Sequence, residues 1–284
     1  MTIIHDMPEA EYLAHGNTSH SQIEKFLRRR RWFIEPPSDE PSAAMLFGKY
    51  FHALVLEPDT VNERFVVEPR FGDGRLKATK EAKAAFREQS AGRITIPADL
   101  GACAAPMLDA LREHSEAGPL LFPVADGTNE ASVFWTDAVT GRYMKRRIDR
   151  FQPGPRRTME LKTTETLDPK RLPHIAHALG YHRAAAVTID ALKAETGHWY
   201  KMPFVFVSVE EKPMVCVWWT EPDSPEVSIG RHEYQSALVA IAECERSGDW
   251  RQPFEVQPEQ PFRLPGWVMK EHEHLFALEG ATPR

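Results

Sequence analysis

The sequence predicts an α/β (α+β) fold, a central mixed β-sheet flanked by helices, with a helical elaboration on its N-terminal side. Three observations predict it. Residues 18–120 carry their apolar side chains mostly at helical spacing. Residues 131–162 switch to strand-like alternation punctuated by turn residues. A long helical stretch then separates these strands from a further hairpin.

Taken in order, residues 1–17 read as a loose, flexible arm and 18–284 as a single domain. Within that domain 18–120 is mainly helical, 121–220 holds the sheet and a helix, and 221–284 a last helix and tail. Thr18-Ser19 offers an N-cap to a helix in which Ile23, Phe26 and Leu27 recur on one face. Pro36, Pro37 and Pro41 interrupt the chain before a helix from Ala43 to Leu56, which Glu57-Pro58 ends. A short strand over 64–67 and helices over 79–89 and 98–116 follow. Strands over 131–136 and 142–149 alternate around the turn at 138–141, and Gln152-Pro153-Gly154-Pro155 leads into a third, 158–162. Residues 169–196 form a helical region broken near Gly180. Residues 204–209 and 215–219 form a hairpin, 229–247 the last helix, and the Pro- and aromatic-rich tail beyond Trp250 a packed loop.

At 284 residues with 42% apolar content and seven tryptophans, the chain has ample material for a packed core. No run approaches the roughly 18–20 apolar residues that cross a bilayer, and the N-terminus lacks the apolar core of a secretory signal. Cys103, Cys216 and Cys244 are too scattered for a disulfide framework or a metal knuckle, and fit a reducing cytoplasm. No phosphate-binding glycine loop with Lys-Ser/Thr occurs, which argues against an ATP-driven motor. His174, His177 and His182 share a helical region without a third ligand at matching spacing, so a zinc site is disfavoured there.

The net charge is −6, yet residues 142–171 hold ten Lys/Arg against four acids. The sequence thereby predicts a positive surround for a polyanionic substrate. Inside this segment stand Asp149 and, after ten residues, Glu160-Leu161-Lys162. In a strand, residues two apart share a face, so Glu160 and Lys162 project together while Leu161 turns into the core. Asp149 and Glu160, with the Leu161 carbonyl, form a ligand set for a hard cation such as Mg²⁺, with Mn²⁺ as its substitute. Lys162 then orients the attacking water and offsets charge in the transition state of phosphodiester hydrolysis.

The segment R-x-I-D…M-E-L-K-T-T resembles the core of the PD-(D/E)xK nuclease superfamily, with Ile148 where the name has proline. It is most similar to the RecE or exonuclease VIII branch, often carried by phages and prophages. Further blocks match in order. Ser19-His20-Ser21-Gln22-Ile23 resembles S-x-S-x-L, and residues 44–58 resemble A-M-x-F-G-x-x-x-H-x-L-V-L-E-P. Residues 79–83 resemble T-K-E-G-K, 130–135 resemble E-x-S-x-x-W, and Gly180-Tyr181-His182 resembles G-Y-H. One departure stands out. Where the family continues with Q-x-x-x-Y, this chain has Ala184 and Thr188.

The resemblance implies a restriction-endonuclease-like core and a Mg²⁺-dependent exodeoxyribonuclease that degrades linear double-stranded DNA from its 5′ ends. It places His52 beside Asp149 and Glu160 at the metal. It makes Glu130, Arg147, Tyr181, His182 and Arg183 candidates for supporting or DNA-contacting roles. It also implies a RecT-like annealing partner, a ring-like homo-oligomer, and a bacterial or phage-infected host cytoplasm. An endonuclease and a DNA-binding protein with weakened catalysis are the alternatives within the same fold.

Overall fold

The computed structural model describes residues 3–5, 7–38, 40–122, 127–256, 266–271 and 273. The chain divides into two compact units, one up to Gly248 and one from Asp249. In the second unit the described residues form a 3₁₀ turn at Pro253–Val256 and the helix α11, Gly266–Glu271.

The first unit begins with β1 (Ile3–Ile4), α1 (Glu9–Ala14), β2 (Thr18–Ser19) and α2 (His20–Arg28). Next come a 3₁₀ turn at Arg30–Phe33, α3 (Ala43–Leu56), α4 (Val61–Arg64), β3 (Phe65–Val67), α5 (Lys77–Gln89), β4 (Ile94–Ile96), α6 (Ala98–Glu113) and α7 (Ala117–Leu121). The sheet region holds β5 (Thr128–Thr136), β6 (Tyr143–Gln152), β7 (Arg157–Thr164), α8 (Leu172–Ala178), α9 (Tyr181–Thr196), β8 (Met202–Ser208) and β9 (Val215–Thr220). The helix α10 (Pro225–Ser247) closes the unit.

The fold is the expected restriction-endonuclease-like one, a seven-stranded mixed sheet in the order β1-β5-β6-β7-β8-β9, with β2 alongside β6. The β7–β8 and β2–β6 pairs are parallel and the rest antiparallel. A parallel β7–β8 pair needs a long crossover, which α8 and α9 supply. Met159 and Leu161 of β7 and Val205 and Val207 of β8 point to one face, where Phe47 and Phe51 of α3 and Met107 and Leu111 of α6 cover them. On the other face α9 lies against β5 and β6. Its buried run Ala184-Ala185-Ala186 leaves the helix free to approach closely. At Gly230 of α10 an added Cβ would lie 2.2 Å from the His182 carbonyl oxygen, so only glycine lets α10 cross α9 there.

Several elements differ from the sequence expectation. The arm is not loose. Within it β1 pairs with β5, Tyr12 and Met7 are buried against Phe134, and the carbonyls of Tyr12, Leu13 and His15 accept hydrogen bonds from the buried Lys145 ammonium. Two-residue strands carry no periodicity, so only their pairing reveals them. The helix expected over 98–116 ends at Glu113, and α7 follows it. The break expected near Gly180 is there: with φ +71° this residue separates α8 from α9. The last helix starts four residues earlier than its apolar pattern suggests, because Ser224 caps it at Val227 and Pro225 occupies its first turn.

Glu24 on α2 receives both arms of Arg183 on α9 (2.6 and 2.9 Å), and Arg183 also donates to Glu233 on α10 (2.6 Å). Three helices are thus pinned through one guanidinium. Burial would raise the Glu24 pKa, but the hydrogen bonds from His20 and Arg183 hold it at about 2. Breaking a buried pair costs about 3–5 kcal/mol. Because Arg183 keeps Glu233, Glu24→Ala is expected to lose about 3 kcal/mol at neutral pH by urea unfolding. The folded-state pKa is depressed, so the Glu24 contribution is complete above its ordinary value of 4.5 and fades as pH falls toward 2. The gap between wild type and variant should therefore close over that window. Gly230→Ala, which forces α9 and α10 apart, is expected to cost about 1–3 kcal/mol in the same measurement.

Candidate metal centre and cleft

The site forms where two strands part. β6 and β7 pair only through Arg150–Gln152 and Arg157–Met159. At the next position, where Asp149 would face Glu160, β6 stays with β5 while β7 continues alongside β8. The Asp149 carboxylate fills the gap and accepts the Leu161 N–H at 2.7 Å. The Leu161 carbonyl lies 3.0 Å from Nε2 of His52, which also lies 3.0 Å from Asp149 Oδ2. His52 reaches the fork because α3 is anchored by Phe47 and Phe51 in the core and capped by Ser42.

Glu130 completes the group, with Oε1 3.7 Å from His52 Nδ1. It is the third residue of β5 and has φ +55°, a left-handed conformation that costs a non-glycine residue about 1–2 kcal/mol. The register places it opposite Asp149, between the Asn129↔Arg150 and Ala131↔Ile148 pairs. Arg147 holds its other oxygen at 2.5 Å and is itself tied to the Met7 carbonyl. One ligand atom from each of His52, Glu130 and Asp149 lies within 4.8 Å of the other two, the only such group of three among the described residues. Burial would depress the His52 pKa, but Asp149 and Glu130 outweigh it and hold the pKa well above the ordinary value. A proton thus occupies the place between the carboxylates that a cation would take.

Glu160 and Lys162 project together, as the alternation predicts, with Lys162 Nζ 2.7 Å from Glu160 Oε1 and Leu161 fully buried. Glu160 stands outside the three-residue group, and its second oxygen accepts from Arg146 at 2.7 Å. Burial would raise its pKa, but Arg146 and Lys162 drive it far below the carboxylate range. Burial would lower the Lys162 pKa, but Glu160 and Asp149 raise it. Lys162 is therefore an ammonium, 5.5 Å from the centre of the Tyr181 ring.

A cleft of about 960 Å³ runs over the fork, lined by His52, Glu130, Asp149, Leu161, Lys162 and Tyr181, with Lys49 and Arg147 at its walls. His182 and Arg183 do not line the cleft. They face away from it, bound to Glu233 and Glu24, because each residue advances about 100° around α9 and so carries them from the cleft side, where Tyr181 stands, to contacts with α2 and α10. Ala184 and Thr188 are buried, and the Thr188 hydroxyl accepts from Arg146 Nε at 3.0 Å.

The basic segment is also more inward than expected. Lys145 is spent on the N-terminal carbonyls, Arg146 on Glu160, Arg147 on Glu130 and Arg150 on Asn129. Lys145, Arg146, Arg147 and Lys162 balance the site and the arm, whereas Arg156, Lys170 and Arg171 face solvent. Neither Arg146 nor the placement of Glu130 was legible in the sequence, since the first depends on how β6 meets β7 and α9 and the second on the β5–β6 register. Asp149→Asn removes the main charge holding the His52 proton, so an NMR titration of that imidazole is expected to show a lower pKa than in wild type. An unchanged titration would contradict the assigned contact.

In three dimensions the chain is similar to the crystal structure named "Putative exonuclease" from Eubacterium rectale. The TM-score is 0.59 at 13% identity, with 97% of this chain and 99% of that chain covered, a likeness of fold. The crystal structure of SSO0001 matches at TM-score 0.30 and 11% identity over 76% of this chain and 85% of that one, too distant to bear on the site. No curated protein matches in sequence. The model of the family described as "PDDEXK-like domain of unknown function (DUF3799)" matches residues 19–253, which include His52, Glu130, Asp149, Glu160, Leu161 and Lys162, and the chain belongs to that PDDEXK-like family.

Proposed function

We propose that the chain is a divalent-metal-dependent exodeoxyribonuclease that hydrolyses linear double-stranded DNA from its 5′ ends. The observation that carries the reading is the joining, in one cleft, of His52, Glu130, Asp149 and the Leu161 carbonyl with the Lys162 ammonium. Two carboxylates, a carbonyl and a single imidazole are a mainly hard, oxygen-rich donor set, which fits Mg²⁺ or Mn²⁺. His52, Asp149 and the Leu161 carbonyl would hold the ion, with Glu130 and Glu160 as the adjoining acids. Such an ion supplies an acidified water and positive charge at the phosphate.

The remaining steps fall to the chain itself. Lys162, fixed by Glu160 and protonated, directs the attacking water by hydrogen bonding and stabilises the charge that accumulates on the phosphate oxygens. Glu160, clamped by Arg146, keeps the ammonium in place rather than letting it follow the substrate. Tyr181 supports the same ammonium through its ring face. Preference for DNA ends, 5′ polarity, the annealing partner, the ring-like assembly and a role in phage-type recombination rest on the sequence resemblance.

A second reading, a DNA-binding or assembly protein with weakened catalysis, is favoured by one observation. The buried Ala184 and Thr188 present no side chain to the cleft. The two readings diverge on end-labelled linear and circular duplexes incubated with Mg²⁺ or with EDTA. The exonuclease shortens the linear form only, and only with metal. Cutting of circles indicates an endonuclease, and intact DNA of both forms the binding protein. Lys162→Ala is expected to slow hydrolysis by about 10²–10³-fold while leaving DNA affinity largely unchanged, and wild-type rates in this variant would sink the mechanism.

A further inference from the structure

Residues 25–31 read K-F-L-R-R-R-R, five cations and no acid, followed by Trp32 and Phe33. The cations spread over the end of α2, its C-cap Arg29 and the 3₁₀ turn Arg30–Phe33. Arg28, Arg29 and Arg31 are exposed, and among the described residues no carboxylate pairs with any of them. The helix dipole accounts for Lys25 and Arg28 in the last turn of α2, but not for Arg29 and Arg31, which lie past it. Phe26 is buried, while Trp32 is half-buried with the Arg29 guanidinium 5.2 Å from its ring centre. A fixed aromatic platform thus holds an otherwise free cation outward.

Lys145, Arg146, Arg147 and Arg150 are spent inside the molecule, whereas Arg28, Arg29 and Arg31 face outward. Uncompensated arginines repel each other, a cost that a polyanion removes. The other end of the same helix touches the cleft, whose wall includes Ser21. From Ser21 to Arg28 the helix rises about 10 Å, the length of roughly three base-pair steps.

We infer that Arg28, Arg29 and Arg31 form a second nucleic-acid contact that grips the phosphodiester backbone of the duplex a few nucleotides beyond the edge of the cleft. The inference rests on the nuclease reading, and it adds where the substrate runs once it leaves the cleft. Contacts of this kind position the nucleic acid without reading its sequence. They affect long substrates and leave small phosphodiesters untouched.

The test compares the full chain with Arg28→Ala/Arg29→Ala/Arg31→Ala and with the matching triple Lys variant. The probe is a fluorescent 30-base-pair duplex in EDTA, titrated over a range of salt. Thermal unfolding of each variant checks that the fold is intact. The Ala variant is expected to bind at least tenfold more weakly and to show a salt slope shallower by about 2–3, the number of phosphates released. The Lys variant should keep the slope, and hydrolysis of bis(p-nitrophenyl) phosphate should be the same in all three. Wild-type affinity and slope in the Ala variant overturn this inference alone. So does loss of binding to phosphatidylserine vesicles with DNA binding retained. A wild type that neither binds nor cuts DNA overturns the nuclease reading as well.

Discussion

At the parting of β6 and β7, the Asp149 carboxylate accepts the Leu161 N–H where a neighbouring strand's carbonyl would normally do so. That contact lets the sheet open without leaving a buried donor unsatisfied, which would cost about 1–3 kcal/mol. It also leaves the Leu161 carbonyl free to face His52 and leaves β7 to align with β8. The same carboxylate thus terminates one ladder and begins the site. Placing a metal-competent acid at such a fork ties the geometry of the centre to the sheet rather than to a loop, which keeps the donors rigid.

Three consecutive residues of β6 show how the chain divides charge around this fork. Lys145 and Arg147 share one side of the strand, where both also lie near the Tyr12 ring. There they bind the N-terminal arm through the Tyr12, Leu13, His15 and Met7 carbonyls. Arg146 points to the opposite side and neutralises Glu160 beneath α9. Each of these three cations meets an acid or a set of carbonyls, as burial requires. The arm therefore belongs to the architecture of the site, since Arg147 links Met7 to Glu130 and Glu130 adjoins His52. The strained backbone at Glu130 fits this arrangement. A left-handed residue within a strand persists only when its surroundings over-determine it, and here a guanidinium and an imidazole do so.

Much of the fold was legible from residue pattern. The capped helix α2, the helix α3 from Ala43 to Leu56 and the three strands around Asp149 and Glu160 follow from periods of 3.6 and 2 and from Pro and Gly punctuation. Those signals are local, so they survive without knowledge of partners. The Glu160–Lys162 pairing and the burial of Leu161 follow from alternation alone. What was not legible depends on pairing at a distance, namely the strand in the N-terminal arm, the break between α6 and α7, and the inward use of the basic segment.

By itself, then, the sequence determined the class of fold, the strand that carries Glu160 and Lys162, and the chemistry that Asp149, Glu160 and Lys162 bring. Only the tertiary structure decided how those groups are shared out. A β5–β6 register set Glu130 across from Asp149, and a helix over a hundred residues upstream of Leu161 delivered His52 to its carbonyl. A buried Arg146 claimed one oxygen of Glu160, and the salt bridges to Glu24 and Glu233 removed Arg183 and His182 from the cleft. Side-chain identity is written residue by residue, whereas the partner of a buried charge is chosen by which elements pack together, and no local pattern encodes that choice.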